Sequence, residues 1–352
     1  MYNYQELAQA RNDMLMQDQR YQPTAFWSEA SLEIVSELCQ YGVENFRSIK
    51  TALGFFVPTY GIPGNGFSPQ QADSLRNCLK SGHPNDSKSM LALNQFLGGG
   101  SWATADYRVF KASDNPGVLP ALHSFSESKV GKPVEQFEFE GCCFSRSSLN
   151  YLLGLSLLKK HLRGETIRTV LEVGGGFGTL GEILCQSGIP DMRYIDVDIP
   201  PTSFVAQYYL GEIFGQKNVT TYCQTSSLKA IPIETLQAAS VLCSWQIEKL
   251  EGQVDLFVNF ISFQEMEPAI VQNYLTHVVR LGARWILLRN MREGKNIRKN
   301  GEAGVVTPIL SDDYLSMLPQ YELVERNVFP YGHKTVDGFH SEVLLLRRKE
   351  QG

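Results

Sequence analysis

One stretch constrains this chain more than any other: TVLEVGGGFGTLGEILCQSGIPDMRYIDVDIP, from Thr169 to Pro200. A short apolar run, a cluster of glycines, a helical pattern and a second apolar run ending in acids read as strand, turn, helix and strand. Gly174, Gly175, Gly176 and Gly178 allow positive φ and a close approach of backbone to ligand, and a helix beginning near Phe177 points its free amides at the same place. Glu172 interrupts the apolar run. A carboxylate buried without partners is costly, so a cation or several donors are expected beside it.

From Ile167 onward, strand-like runs alternate with helical stretches: TVLEV, MRYIDVDI, NVTTYC, VDLFVNF, ARWILLRN, YELVERNVF and SEVLLLRR. This predicts an α/β fold, a Rossmann-like, doubly wound, mostly parallel sheet of seven strands. Only Pro330 to Phe339 separate the last two, too few residues for a helical crossover, so the final strand is expected to be antiparallel. Residues 1–165 are expected to form a mostly helical cap that binds substrate, and 166–352 the nucleotide-binding domain. Within the cap, helix, turn and helix are read from Phe26 to Leu53 with a break at Gly42, further helices near Ala72 to Lys80 and Ser87 to Leu97, and another from Ser145 to Gly164. Gly98 to Pro133 reads as a long irregular region, a candidate lid or substrate wall.

With 37 acidic and 32 basic side chains the net charge is -5, which gives no general attraction to a phosphate backbone, so nucleic acid is not an expected partner. The opening MYNYQELAQARNDM lacks the apolar core of a signal peptide, and no run is long enough to span a membrane; a cytoplasmic location is expected. Seven cysteines without a C-x-x-C pair indicate neither a disulfide framework nor a thiolate zinc site. No carboxylate or histidine spacing demands a metal.

Two cofactors compete for the glycine turn. The dinucleotide pattern G-x-G-x-x-G fits Gly176, Gly178 and Gly181, but started directly after the strand it meets Thr179 at its third position and leaves Glu172 without a role. An acid two positions before the first glycine suits a ligand carrying an ammonium and a sulfonium, as S-adenosylmethionine does. Asp198, with Asp196 as the fallback, is placed at the end of the second strand to accept both ribose hydroxyls.

EVGGGFG, the acid in DIP and the antiparallel final pair resemble class I S-adenosylmethionine-dependent methyltransferases. Over most of the chain, Phe26 and Trp27, YGVENFRS, the GKP at Gly131, LEVGGGFG, DIPP with AQYYL, and NFISFQEM from Asn259 to Met266 resemble the bacterial sugar O-methyltransferases found with surface-polysaccharide genes. The resemblance implies a cofactor site of Glu172, Gly174, Gly175, Gly176, Gly178, Asp198 and Asn259. YCQTSSL lacks the aspartate that many class I enzymes offer to adenine, and Gln224 or Ser226 is expected to stand in for it. The implied reaction is methylation of a sugar hydroxyl; N- or C-methylation of another metabolite and nicotinamide-dependent oxidation are the alternatives. The oligomeric state is open, a homodimer among the options.

At the reacting end, a secondary hydroxyl attacks a methyl sulfonium only as its proton is removed. Glu265, ten positions beyond Asp255, is the first candidate base, with Ser262 and Gln264 orienting the substrate; the competing reading has Gln264 and Glu265 capping the next helix. Arg289, Arg292, Lys295, Arg298 and Lys299 form a basic run that either is solvated or grips an anionic part of the acceptor, with Arg292 and Lys295 the foremost. His333 and His340, in the last loop, are alternative bases. Trp27, Tyr60, Phe67 and Trp102 are available to stack on a sugar.

Overall fold

The structure is a computed structural model that describes residues 4–24, 26–298 and 304–350. Its centre is a sheet of nine strands. Seven are five residues or longer: β1 (Thr169–Val173), β2 (Arg193–Asp198), β3 (Ala239–Cys243), β4 (Leu256–Phe260), β5 (Trp285–Met291), β6 (Tyr321–Asn327) and β7 (His340–Arg348). Their order is β6–β7–β5–β4–β1–β2–β3, with the pair Val219–Thr220 beyond β3 and His333–Lys334 against β7. β7 runs antiparallel to both β5 and β6, and every other pairing between the long strands is parallel. The expected Rossmann-like arrangement is therefore present, extended by two short strands.

Apolar residues alternate between the two faces as strand geometry requires. Val170, Leu256, Val258 and Leu287 face one core, and Leu171, Phe257, Ile286 and Leu288 face the other. The first core also contains Leu7, Ile34, Phe46 and Phe56, so the N-terminal helices and the sheet share one hydrophobic interior.

Among the described residues seven α-helices precede the sheet, the first six being α1 (Tyr4–Leu15), α2 (Ser28–Tyr41), α3 (Lys50–Phe55), α4 (Pro69–Gly82), α5 (Ser87–Leu97) and α6 (Gly100–Ser113). α6 lies inside the region read as irregular. The glycines at 98, 99 and 100, around its start, masked a helical spacing of Ala103, Tyr107 and Phe110, all buried. α7 (Arg146–Lys159) starts at a capping box on Ser145 and is buried on every side, not on the single leucine face its sequence suggests. It presses onto the sheet at Gly154, where an added Cβ would lie 2.5 Å from Phe260 and 3.3 Å from Leu287. The remaining helices that shape the site are α8 (Thr179–Cys185), α9 (Thr202–Phe214), the single turn α10 (Tyr222–Thr225) and α11 (Pro268–Arg280).

One strand assignment is corrected. NVTTYC supplies only Val219–Thr220 at the sheet edge and then turns into α10, while the neighbour of β2 is ASVLC, Ala239–Cys243. The β-branched run is the stronger strand signal, but the run with small residues, every one buried, fills the position between layers.

The packing of α7 gives a direct test. Gly154→Val should lower the unfolding free energy by about 1–3 kcal/mol in urea titrations, because the new methyls must displace Phe260 from a close-packed layer.

Candidate functional site

A crevice opens at the carboxyl ends of β1, β2 and β4, where the chain switches from one side of β1 to the other. The sheet contributes Val173 to Gly176, Val197 to Ile199 with Thr202, and Phe260 to Ser262 with Glu265 and Met266. The N-terminal segment contributes Arg20, Gln22, Thr24, Trp27, Phe55, Phe56 and Pro58, and α7 contributes Ser147, Asn150 and Tyr151. Ile270 and Tyr274 of α11 complete the wall.

The glycine turn is built over carboxylates. Gly174 has φ of 72°, and a side chain there would collide with Ser262. A Cβ on Gly175 would lie 2.7 Å from Asp196, 2.8 Å from Glu172 and 2.8 Å from the Tyr194 hydroxyl. The amides of the turn are already used: Gly174 N–H donates to the Val197 carbonyl, Gly175 N–H to Asp196 Oδ1 and Gly176 N–H to Asp198 Oδ2. Three consecutive donors that a phosphate would need are thus engaged by the protein itself.

Asp198 walls the crevice, accepting from Ile199 N–H at 2.7 Å as well as from Gly176. Burial pushes its carboxyl up to about 7, against the pull of those two amides. Asp196 lies deeper, off the crevice wall, with Oδ2 unpartnered and its acidity suppressed by burial and then by Asp198 and Glu172. Thr202, the first residue of α9, also lines the crevice, and its hydroxyl has no partner.

Glu172 is not on the wall. Its side chain shares the face of Val170, and both oxygens are occupied: Tyr151 O–H donates to Oε1 at 2.7 Å and Tyr194 O–H to Oε2 at 2.6 Å. The expected donors are two phenols and no cation. Burial raises this carboxyl to about 7, the two phenols opposing.

Asn259 is likewise removed from the crevice. Its amide donates to the Val173 carbonyl and to Ser262 Oγ, and its oxygen accepts from Phe263 N–H and from Asn290. It clamps the end of β1 to the turn after β4, and so sets the position of Ser262, which does line the crevice. That turn contains Ile261 at φ 74° and ψ −40°, an expensive conformation for a β-branched residue. Gln264 is buried as a strut, accepting from Met291 N–H at 2.7 Å, and is not on the wall.

Glu265 does face the crevice. Lys295 Nζ lies 2.8 Å from Oε1, Trp27 donates its indole N–H to Oε2 at 3.1 Å, and the Thr24 hydroxyl donates to the backbone carbonyl. Lys295 also sits 4.1 Å from the Phe26 ring centroid. Two distant segments of the chain, one carrying Trp27 and one carrying Lys295, therefore converge on one carboxylate.

Other expected residues lie elsewhere. Arg292 pairs with the buried Glu342 at 2.8 Å and is off the wall. Lys299 falls outside the described residues. His333 is turned inward on Arg289, 3.2 Å away; burial, then the charges of Arg289 and Arg146, press it down to about 3. His340 pairs with Glu293. Neither histidine reaches the crevice, because β7 and its short partner carry them past the edge of the site. Gln224 caps α10 by accepting from Thr221 N–H, and Ser226 bonds the Cys223 carbonyl; both are remote because the segment holding them is the sheet edge and not the third strand. Of the four aromatic residues, only Trp27 lines the crevice; Tyr60 donates to Asp106 instead. Among the described residues no group of three or more histidine, cysteine or acidic side chains could hold a metal ion, and no helix is long and apolar enough to cross a membrane.

Sequence reasoning missed the α7 contribution. Its signal was legible: Ser147, Asn150 and Tyr151 are polar positions at helical spacing in a leucine-rich segment.

No family model and no curated protein matches the chain. Among solved structures it is similar to magnesium protoporphyrin IX methyltransferase from Synechocystis PCC 6803 with bound SAM, at 14% identity over 58% of this chain and 81% of that one, TM-score 0.38. It is similar to the mitomycin 7-O-methyltransferase MmcR at 11% identity over 94% and 70%, TM-score 0.37. The N-terminal domain of EvdMO1 with SAH bound is matched at 12% identity over 70% and 97%, TM-score 0.37. Similarity this low decides neither ligand nor reaction; the sheet order above defines the architecture.

The buried acids make stability depend on pH. Glu172, Asp198 and Glu182 are each raised to about 7, chiefly by burial, so the folded state holds protons that the unfolded chain has lost. That contribution is complete below the ordinary carboxylate range and disappears as pH rises through about 7. The unfolding free energy in urea should fall by about 1–2 kcal/mol between pH 6.5 and 8, and Glu172→Gln should flatten part of the slope.

Proposed function

We propose that the chain is an S-adenosylmethionine-dependent O-methyltransferase acting on a hydroxyl of a sugar or sugar-derived small molecule. The observation that carries the cofactor is the state of the glycine turn. Its amides at 174, 175 and 176 are spent on the protein, and two of them hold carboxylates. A pyrophosphate brought there would find few free donors and would face carboxyl groups already reluctant to ionise, whereas a sulfonium and an ammonium would favour their ionised form. Asp198 then accepts the ribose hydroxyls, and the side chains of Ile199, Met266 and Ile270 offer the adenine an apolar slot.

Methyl transfer needs the acceptor oxygen, the methyl carbon and the sulfur nearly in line. The oxygen–carbon bond forms as the carbon–sulfur bond breaks, the sulfur leaves as a neutral thioether, and the hydroxyl proton passes to a base. Glu265 is that base: it fronts the crevice, and Lys295 and Trp27 fix its two oxygens while each retains capacity to accept a proton from substrate. Trp27 and Phe55, 5.4 Å apart, form an aromatic wall suited to the face of a sugar ring. That wall and the likeness of the FW, NFISFQEM and DIPP stretches to sugar O-methyltransferases support this acceptor class.

Calorimetric titration should give binding of S-adenosylhomocysteine and none of NAD; the reverse would replace methyl transfer with hydride transfer. Glu265→Gln should keep homocysteine-cofactor affinity while turnover on nucleotide sugars, followed by mass spectrometry, drops by roughly 10²- to 10⁴-fold. Full turnover in that variant would remove Glu265 from the chemistry.

A further inference from the structure

We propose that Asn150 is the hydrogen-bond acceptor for the α-ammonium group of bound S-adenosylmethionine, an inference that rests on the cofactor reading above. On the crevice side of α7, polar residues stand at 147, 150 and 151. Two of the three are spent. Ser147 Oγ shares a hydrogen bond of 2.9 Å with Thr179 Oγ1, and the Tyr151 hydroxyl is given to Glu172. Asn150, only 6% exposed, walls the same crevice, and its amide oxygen has no partner. An acceptor taken out of water and left unpaired is unfavourable, so a ligand that brings a donor to it is favoured.

Its position matches one end of the cofactor. The backbone carbonyl of Asn150 accepts from Arg289 of β5, and the adjoining Tyr151 ring stacks on Phe260 of β4 at 4.8 Å. Asn150 therefore lies on the β4–β5 side of the glycine turn, across from Asp198 at the end of β2. A ligand whose ribose is held by Asp198 and which crosses the turn delivers its amino-acid end to Asn150. Of the two charged groups there, the ammonium alone is a donor. Glu172, with both oxygens occupied and no place on the wall, acts on that ammonium only through its field; the direct contact falls to the amide.

Calorimetry with two ligands tests this: S-adenosylhomocysteine, and 5′-deoxy-5′-methylthioadenosine, which keeps the adenosine and thioether but lacks the amino acid. Asn150→Leu should weaken the first by roughly 10- to 100-fold and leave the second within about twofold, while Asn150→Asp, still an acceptor, should hold the first within about threefold. Equal losses for both ligands, no loss for either, or an Asp variant as weak as the Leu variant would each overturn the assignment. Thermal melts establish that each variant is folded before it is titrated. If the unaltered protein binds neither ligand, the cofactor reading itself fails, a result that the variants cannot mimic.

Discussion

Glu172 takes a hydrogen bond from Tyr151 of α7 on one oxygen and from Tyr194 of β2 on the other, and the arrangement of the crevice follows from that bridge. The carboxylate is fully buried, and a charge in that position is tolerated only with good donors on both sides. Supplying them ties α7 to the first two parallel strands and brings Ser147, Asn150 and Tyr151 to the wall. It also places a carboxyl directly below Gly175, beside that of Asp196. The N-terminal helices are thus attached to the sheet through the electrostatics of the turn as well as through a shared apolar core.

The same economy governs the cations. Lys295 is engaged by Glu265, Arg292 by Glu342 and Arg47 by Glu127, the last pair buried at 2.9 Å. Within what reads as a basic run in the sequence, Arg292 and Lys295 belong to separate ion pairs serving different parts of the fold. Arg289 differs: it is buried against Phe260, with Ser341, His333 and a carbonyl as partners, and burial makes it easier to deprotonate than an ordinary arginine. It stiffens the floor beneath Asn150 and Tyr151.

Periodicity made the sheet legible, because alternating apolar runs survive whatever the loops do. TVLEV, VDLFVNF and the closing antiparallel pair are found where their patterns put them. ASVLC escaped notice since its residues are small and carry little β signal, and that single slip displaced the expected adenine contacts to Gln224 and Ser226. The glycine turn, Asp198, Ser262 and Glu265 were readable because each stands directly after a recognisable strand. Asn259 and Gln264 were recognised as belonging to the site but not as its supports, since a sequence does not say toward which side a polar residue at a strand end will turn. Contributions from Arg20 to Thr24 depend on tertiary placement of a distant segment, for which no local pattern exists.

Ile261 combines a β-branched side chain with φ of 74° at the bend leading into Ser262 and Glu265, and such a conformation costs on the order of 1–3 kcal/mol. Glycine would adopt it freely, so a screen for heat-resistant variants is apt to return that replacement early. Its gain would come from released backbone strain while the bend that aims two crevice residues loosens, which makes codon 261 a place where heat resistance and ligand binding should be scored separately.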